Sequence, residues 1–336
     1  MTCRGVHMGF NKIIGQKIVV DGLRTSLKND RIGHAYIFSG PEGIGKRSVA
    51  NIFSSILICD EAREDESCKK CKPCLLFQNG NNPDFYVLGG TGSSIGVEEI
   101  RELQSNISIR PLYSRRKVYI IPGSEKMTVQ AQNCLLKTLE EPPKYGTIIL
   151  TTTNYGALLE TIHSRGVRYD FKRNTLDEIR EFLLDKHGVE QGHANFIAAY
   201  ANGIIGRALT LLESEDLKKT RDDIIDILIR MNGEGSESIF EFNALFDGNR
   251  DDFEWLLDIM ISFYRDLLIA GKGENMLINS DKRDIILNNV QRFSVAKILD
   301  NIETIEQTRR AIKQNANYQL AIGVMLMKLR EEYKKW

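Results

Sequence analysis

The sequence predicts an α/β fold on a parallel sheet, carrying a small cysteine-rich insertion and followed by a helical second half. Three observations carry that prediction. Short β-rich runs alternate with helical stretches as far as residue 171, the pattern of strands covered by helices on both faces. The first clear run, Ala35–Ser39, passes straight into a Gly-rich turn and an amphipathic helix. Beyond Phe171 no strand-like run remains, and apolar residues recur at helical spacing.

The elements follow in order. After the strand at 35–39 and the turn Gly40-Pro41-Glu42-Gly43-Ile44-Gly45-Lys46, a helix is expected over about 47–58. Further strands are expected at 85–88, 118–121 and 147–152. Helices are expected between them at 97–107 and 129–139, the second stopped by Pro142-Pro143. In the second half, 176–186 and 194–201 read as short helices, and Gly203 and Gly206 bracket the next turn. Long amphipathic helices are expected from about 217. The stripe Phe253, Leu256, Leu257, Met260, Tyr264, Leu267 and Leu268 has the spacing of a packed helical face, hence core or subunit interface. Pairs such as Glu331 with Lys335 decorate solvent faces. Three domains are therefore expected: 1–171 α/β, 172–215 small and helical, 216–336 helical.

Composition bounds the function. A chain of 336 residues with 42% apolar and 27% charged residues is globular, neither fibrous nor disordered. No apolar run reaches the ~18 residues of a membrane span, and Met1 to Phe10 lacks a signal core, so the expected location is the cytoplasm. Lys and Arg total 45, as do Asp and Glu, which excludes nucleic-acid binding driven by overall charge and leaves only a local basic face.

The turn fits the G-x-x-x-x-G-K part of a P-loop. Its glycines, Gly40, Gly43 and Gly45, let backbone N–H groups close on phosphate oxygens, and Lys46 adds a cation at the positive end of the following helix. The next position, where a hydroxyl normally coordinates Mg²⁺, is Arg47; Ser48 is one residue late and about 100° away around a helix. The strand that should end in an acidic pair ends in Pro122-Gly123, and Glu125 lies beyond it. Two losses in one machine argue against efficient hydrolysis and leave the loop two roles, weak nucleotide binding or scaffold.

Cys59-x8-Cys68-x2-Cys71-x2-Cys74 has the chemistry of a four-thiolate zinc site with a structural role. Lys69, Lys70 and Lys72 would offset its charge. An iron–sulfur cluster is the alternative, but nothing else in the chain implies electron transfer. Cys3 and Cys134 stand apart, unpaired.

These residues also carry a resemblance. Ile14-Gly15-Gln16, His34-Ala35-Tyr36, the P-loop with its cysteine module, Val97 to Arg101, Ile109-Arg110-Pro111, Asn133 to Pro143 and Thr161-Ile162-His163-Ser164-Arg165 occur in one order. In that order the chain resembles the delta-prime subunits of bacterial DNA polymerase III clamp loaders, within the AAA+ ATPases. Residues 1–7 precede the family's usual start. The resemblance implies an AAA+ domain with a zinc insertion at 59–74, a helical lid and a collar. It also implies a pentameric ring with ATPase subunits and a delta subunit, which opens a sliding clamp and places it on primer-template DNA.

ATP sites in such rings lie between subunits, and the family's Ser-Arg-Cys element supplies an arginine finger in trans. Here it reads Ser164-Arg165-Gly166, so the resemblance implies that Arg165, with Ser164, serves a neighbour's ATP; the competing reading is an ordinary surface ion pair. Thr153 and Asn154 fall at the nucleotide-sensing strand end. The G-x-x-R position of ATPase subunits reads Gly203-Ile204-Ile205-Gly206, with Arg207 one place late. The losses fit a non-motor role. Two rival functions are an ATP-hydrolysing motor subunit of the gamma/tau kind and a zinc-dependent nucleic-acid-binding protein. The basic group Arg110, Arg115, Arg116 and Lys117 reads as a solvated loop before a DNA contact.

Overall fold

The computed structural model describes residues 9–63, 65–89, 94–231, 237–248, 250, 253–270 and 277–330. Residues 1–7, including Cys3, and the Glu331–Lys335 pair lie outside the described residues. The chain forms two compact units. One gathers the described residues through Thr175 with Ile204–Gly206; the other gathers Leu176–Gly203 and the described residues from Arg207 onward.

The first unit runs α1 (Lys17–Lys28), β1 (Ala35–Ser39), α2 (Lys46–Leu57), α3 (Lys72–Gln78), β2 (Phe85–Val87), α4 (Val97–Ile107), β3 (Lys117–Pro122), α5 (Val129–Glu140), β4 (Gly146–Thr152), α6 (Glu160–His163) and β5 (Val167–Asp170). The five strands pair in the order β2-β3-β4-β1-β5, all parallel. Register fixes the faces, because successive side chains of a strand point to opposite sides. Tyr36, Phe38, Val118, Ile120 and Ile149 join α1 and α2 in one buried layer. Ala35, Ile37, Tyr119, Ile121, Ile148 and Leu150 join α4 and α5 in the other. The apolar runs of β1, β3 and β4 are therefore buried on both faces, as a parallel sheet requires, while β2 at the sheet edge is half-buried.

Local chemistry sets the helix ends. The Thr128 hydroxyl caps α5 by accepting from the Ala131 N–H at 3.1 Å, and α5 stops short of Pro142-Pro143. Helix α4 ends over a buried lysine: Lys117 Nζ donates to the carbonyls of Asn106 (2.7 Å) and Ile109 (3.3 Å), satisfying acceptors that a helix terminus leaves open. Elements α1 and β5 carry no strong signal in the sequence. The apolar start of α1 is β-branched (Ile18, Val19, Val20), and β5 is a four-residue edge strand whose Arg168 and Asp170 pair with each other at 2.8 Å.

The second unit is entirely helical among the described residues. Its helices are α7 (Leu176–His187), α8 (Gln191–Tyr200), α9 (Ile205–Glu213, entering from the first unit), α10 (Glu215–Met231), α11 (Glu237–Gly248), α12 (Phe253–Ile269), α13 (Arg283–Asn289), α14 (Val295–Lys313) and α15 (Tyr318–Arg330). The stripe on α12 is core: Leu256, Leu257, Met260, Tyr264 and Leu267 are buried, with Trp255, Ile259 and Phe263 beside them. Several buried polar groups are paired. Asp266 accepts from the backbone N–H of Ile278 (3.0 Å) and Asn279 (2.8 Å), and Tyr200 bonds Ser262. No helix among the described residues is long and apolar enough to cross a membrane.

Candidate functional site

Three groups of residues in the first unit carry chemistry. The first is the P-loop, where the carboxyl end of β1 turns into α2. Gly40, Gly43 and Gly45 take φ of 155°, 74° and 105°, a region that L side chains rarely enter. The loop walls a cleft of about 740 Å³, shared with Pro122, Gly123, Glu125, Lys126 and Thr151, Thr152 and Thr153. Such a cleft at the carboxyl ends of parallel strands is where open α/β sheets bind ligands. Lys46 is buried, and its Nζ donates to the carbonyls of Gly40 (2.6 Å) and Pro41 (2.7 Å). Burial pushes its pKa below the ordinary lysine range, against the pull of Glu125 and Glu42.

The metal-holding positions carry no suitable ligand. Arg47 and Ser48 are exposed and both line the cleft, while β3 ends in Pro122 and Gly123. Glu125 faces the same cleft from the turn after β3, where its Oε1 accepts from the Thr153 hydroxyl at 2.7 Å. Burial raises the Glu125 carboxyl, but the hydrogen bonds, led by that of Thr153, outweigh it and hold it below the usual range. Arg207 is engaged within the second unit by Asp258 at 3.0 Å, and Arg309 takes the other oxygen at 2.7 Å.

The second group surrounds Arg165, in the turn between α6 and β5. Its Nη1 donates to the Thr161 carbonyl (2.9 Å) and the Ser164 hydroxyl (3.2 Å), and its Nη2 to Glu140 Oε1 (2.8 Å). The side chain is 32% exposed. Ser164 is itself tied by donating to the Thr161 carbonyl at 3.1 Å. A Cβ at Gly166 would lie 2.8 Å from the buried side chain of Ile37. The pairing of Glu140 with Arg165 carries no signal in the sequence, because 25 positions separate them and only the fold joins them.

The third group is the cysteine module between α2 and β2. The sulfurs of Cys59, Cys68, Cys71 and Cys74 lie within 4.8 Å of one another, with Cys59 and Cys71 4.0 Å apart. Four thiolates at ~2.3 Å from one zinc ion stand about 3.8 Å apart, so the cluster fits a tetrahedral site. Backbone N–H groups of Lys70 and Cys71 hold the Cys68 thiol down, at about 6. Burial pushes Cys59 up to about 11 and Cys74 up as well. Without a cation these buried sulfurs would stay protonated; a divalent ion is the charge that would ionise them. Lys69 turns to Glu66 (2.6 Å), and Lys72 stacks over Tyr113 (3.7 Å). Cys134 stands apart, its thiol donating to Gln104 Oε1 at 3.3 Å.

The basic loop is ordered by Asp84, whose carboxylate accepts from the backbone N–H of Leu112 (2.7 Å), Tyr113 (2.8 Å) and Ser114 (2.8 Å). Arg110 and Arg115 are exposed, but Lys117 is buried and Arg116 half-buried. The four do not form one cationic face.

Comparison with known proteins agrees across both halves. Residues 15–175 match a family described as DNA polymerase III, delta subunit, and residues 215–331 match its C-terminal family, DNA polymerase III, delta subunit, C terminal. The chain is 29% identical to the DNA polymerase III subunit delta' of Bacillus subtilis (strain 168), covering 94% of this chain and 96% of the relative. It is 33% identical to the DNA polymerase III subunit tau of the same organism, covering 95% of this chain and 61% of the relative. A crystal structure of a DNA polymerase III, gamma subunit-related protein from Thermotoga maritima aligns over 93% of this chain and 98% of its own, with 22% identity and a TM-score of 0.46.

Proposed function

The chain belongs to the family of DNA polymerase III clamp-loader subunits, and on that premise we propose that it is a non-motor, delta-prime-type member. In this reading it serves DNA replication in the cytoplasm, in a ring with ATPase subunits and a delta subunit. The ring loads the sliding clamp onto primer-template DNA, and this chain lends Arg165 to a neighbour's ATP. The observation that carries the reading is the P-loop cleft: the glycine cradle and Lys46 persist, while Arg47, Pro122 and Gly123 stand where metal ligands belong. A cleft so built has phosphate donors and no means to hold Mg²⁺ at those two positions.

Arg165 complements this loss. It is accessible and keeps donors to spare, the requirement for stabilising charge that develops on a transferred phosphoryl group. Cys59, Cys68, Cys71 and Cys74 hold a structural zinc ion that fixes the chain between α2 and β2. The helical residues 172–215 serve as lid and 216–336 as oligomerisation collar.

A motor role of the gamma/tau kind is the competing reading, and one observation favours it: Glu125 places a carboxylate in the cleft near Lys46. ATP turnover by the purified chain with Mg²⁺ decides between them. The non-motor reading expects none; turnover abolished by Lys46→Ala would establish a motor.

A further inference from the structure

We propose that Glu140 is a positioning residue for Arg165, a role that rests on the finger reading above. A guanidinium carries five N–H donors, one on Nε and two on each terminal nitrogen. Here both Nη1 protons are spent, on the Thr161 carbonyl and the Ser164 hydroxyl, and one Nη2 proton is spent on Glu140. The Nε–H and the second Nη2–H remain. That is the pair of donors a guanidinium uses to grip phosphate in bidentate fashion. The three bonds therefore leave two of the five donors open to a phosphoryl group.

Glu140 makes the only one of the three bonds that comes from another element. Thr161 and Ser164 belong to α6 and its cap, so on their own they let the guanidinium pivot with its own turn. Glu140 is the last residue of α5, on a helix halted by Pro142-Pro143, and it ties Arg165 to the body of the sheet domain. The ion pair is half open to water, with the Glu140 side chain 51% exposed, so its worth to folding is small. Its effect is orientation, and misplacement of a reacting group by ~1 Å can cost up to ~10²-fold in rate. A carboxylate beside a finger also subtracts from its field, so the useful property is the acceptor atom and not the negative charge.

The test is single-turnover ATP hydrolysis by the fully assembled loader, with ATP affinity measured alongside. Glu140→Ala should slow the neighbouring site about tenfold with ATP affinity unchanged. Glu140→Gln, which keeps an acceptor oxygen, should stay within about twofold of wild type. In an Arg165→Ala background, Glu140→Ala should have no further effect. A wild-type rate for Glu140→Ala beside a slow Arg165→Ala would overturn the positioning role and leave the finger standing. So would equal losses in the Ala and Gln variants, or further slowing in the Arg165→Ala background. A wild-type rate for Arg165→Ala would instead remove the finger reading itself.

Discussion

Arg221 holds the helical unit together by a network whose worth can be worked out from its geometry. The side chain is 1% exposed and its guanidinium lies 4.4 Å over the ring of Phe196. It donates through Nε (2.9 Å) and Nη2 (2.6 Å) to Asp222 and through Nη1 (2.9 Å) and Nη2 (2.6 Å) to Asp281. Arg221→Met keeps an apolar stem against Phe196 and deletes the charge. Removing one member of a buried ion pair costs ~3–5 kcal/mol. Both carboxylates are about a third exposed and can rehydrate, and Lys282 remains 3.0 Å from Asp222. The loss therefore falls at the low end, about 3 kcal/mol. With a slope of ~2–3 kcal/mol/M, the urea midpoint drops by roughly 1–1.5 M. The assay is urea unfolding followed by the fluorescence of buried Trp255, in a Trp336→Phe background. A midpoint shift below about 0.3 M would refute the claim that this network, and not the surrounding apolar core, secures the helical unit.

Three further outcomes are expected. Metal analysis of chain purified without chelator should find one zinc per chain, and stripping it should lower the melting temperature; iron, or no metal, would overturn the zinc site. Gly166→Cys should destabilise the first unit by ~1–3 kcal/mol through its approach to Ile37, with partial relief from Ile37→Val. Truncation before residue 217 should abolish co-assembly with partner subunits, and an assembled truncated chain would contradict the collar assignment.

Much of the α/β unit was legible because its signals are local. Doubly buried strands read as apolar runs, Val97–Ile107 has the ends its spacing predicts, and Pro142-Pro143 stops α5. The P-loop and the four cysteines announce themselves by spacing within a few turns of chain. What the sequence hides is made by topology. Glu140 meets Arg165, and Glu125 meets Thr153 across 28 positions, only because the sheet order carries β3, β4, β1 and β5 side by side. Strand β5 escapes notice because an exposed edge needs no apolar run. Lys117 reads as part of a basic surface, yet its ammonium is buried against two carbonyls at the end of α4, which charge counting along the chain cannot foresee. The approach of Ile37 to Gly166 is likewise invisible along the chain.

The central claim is that this chain does not hydrolyse ATP efficiently but completes a neighbour's site. Single-turnover hydrolysis by the loader assembled with Arg165→Ala tests it most directly. The account predicts intact assembly and loss of one site's share of the burst, with that site slowed by ~10³–10⁵-fold. An undiminished burst at the wild-type rate would contradict it.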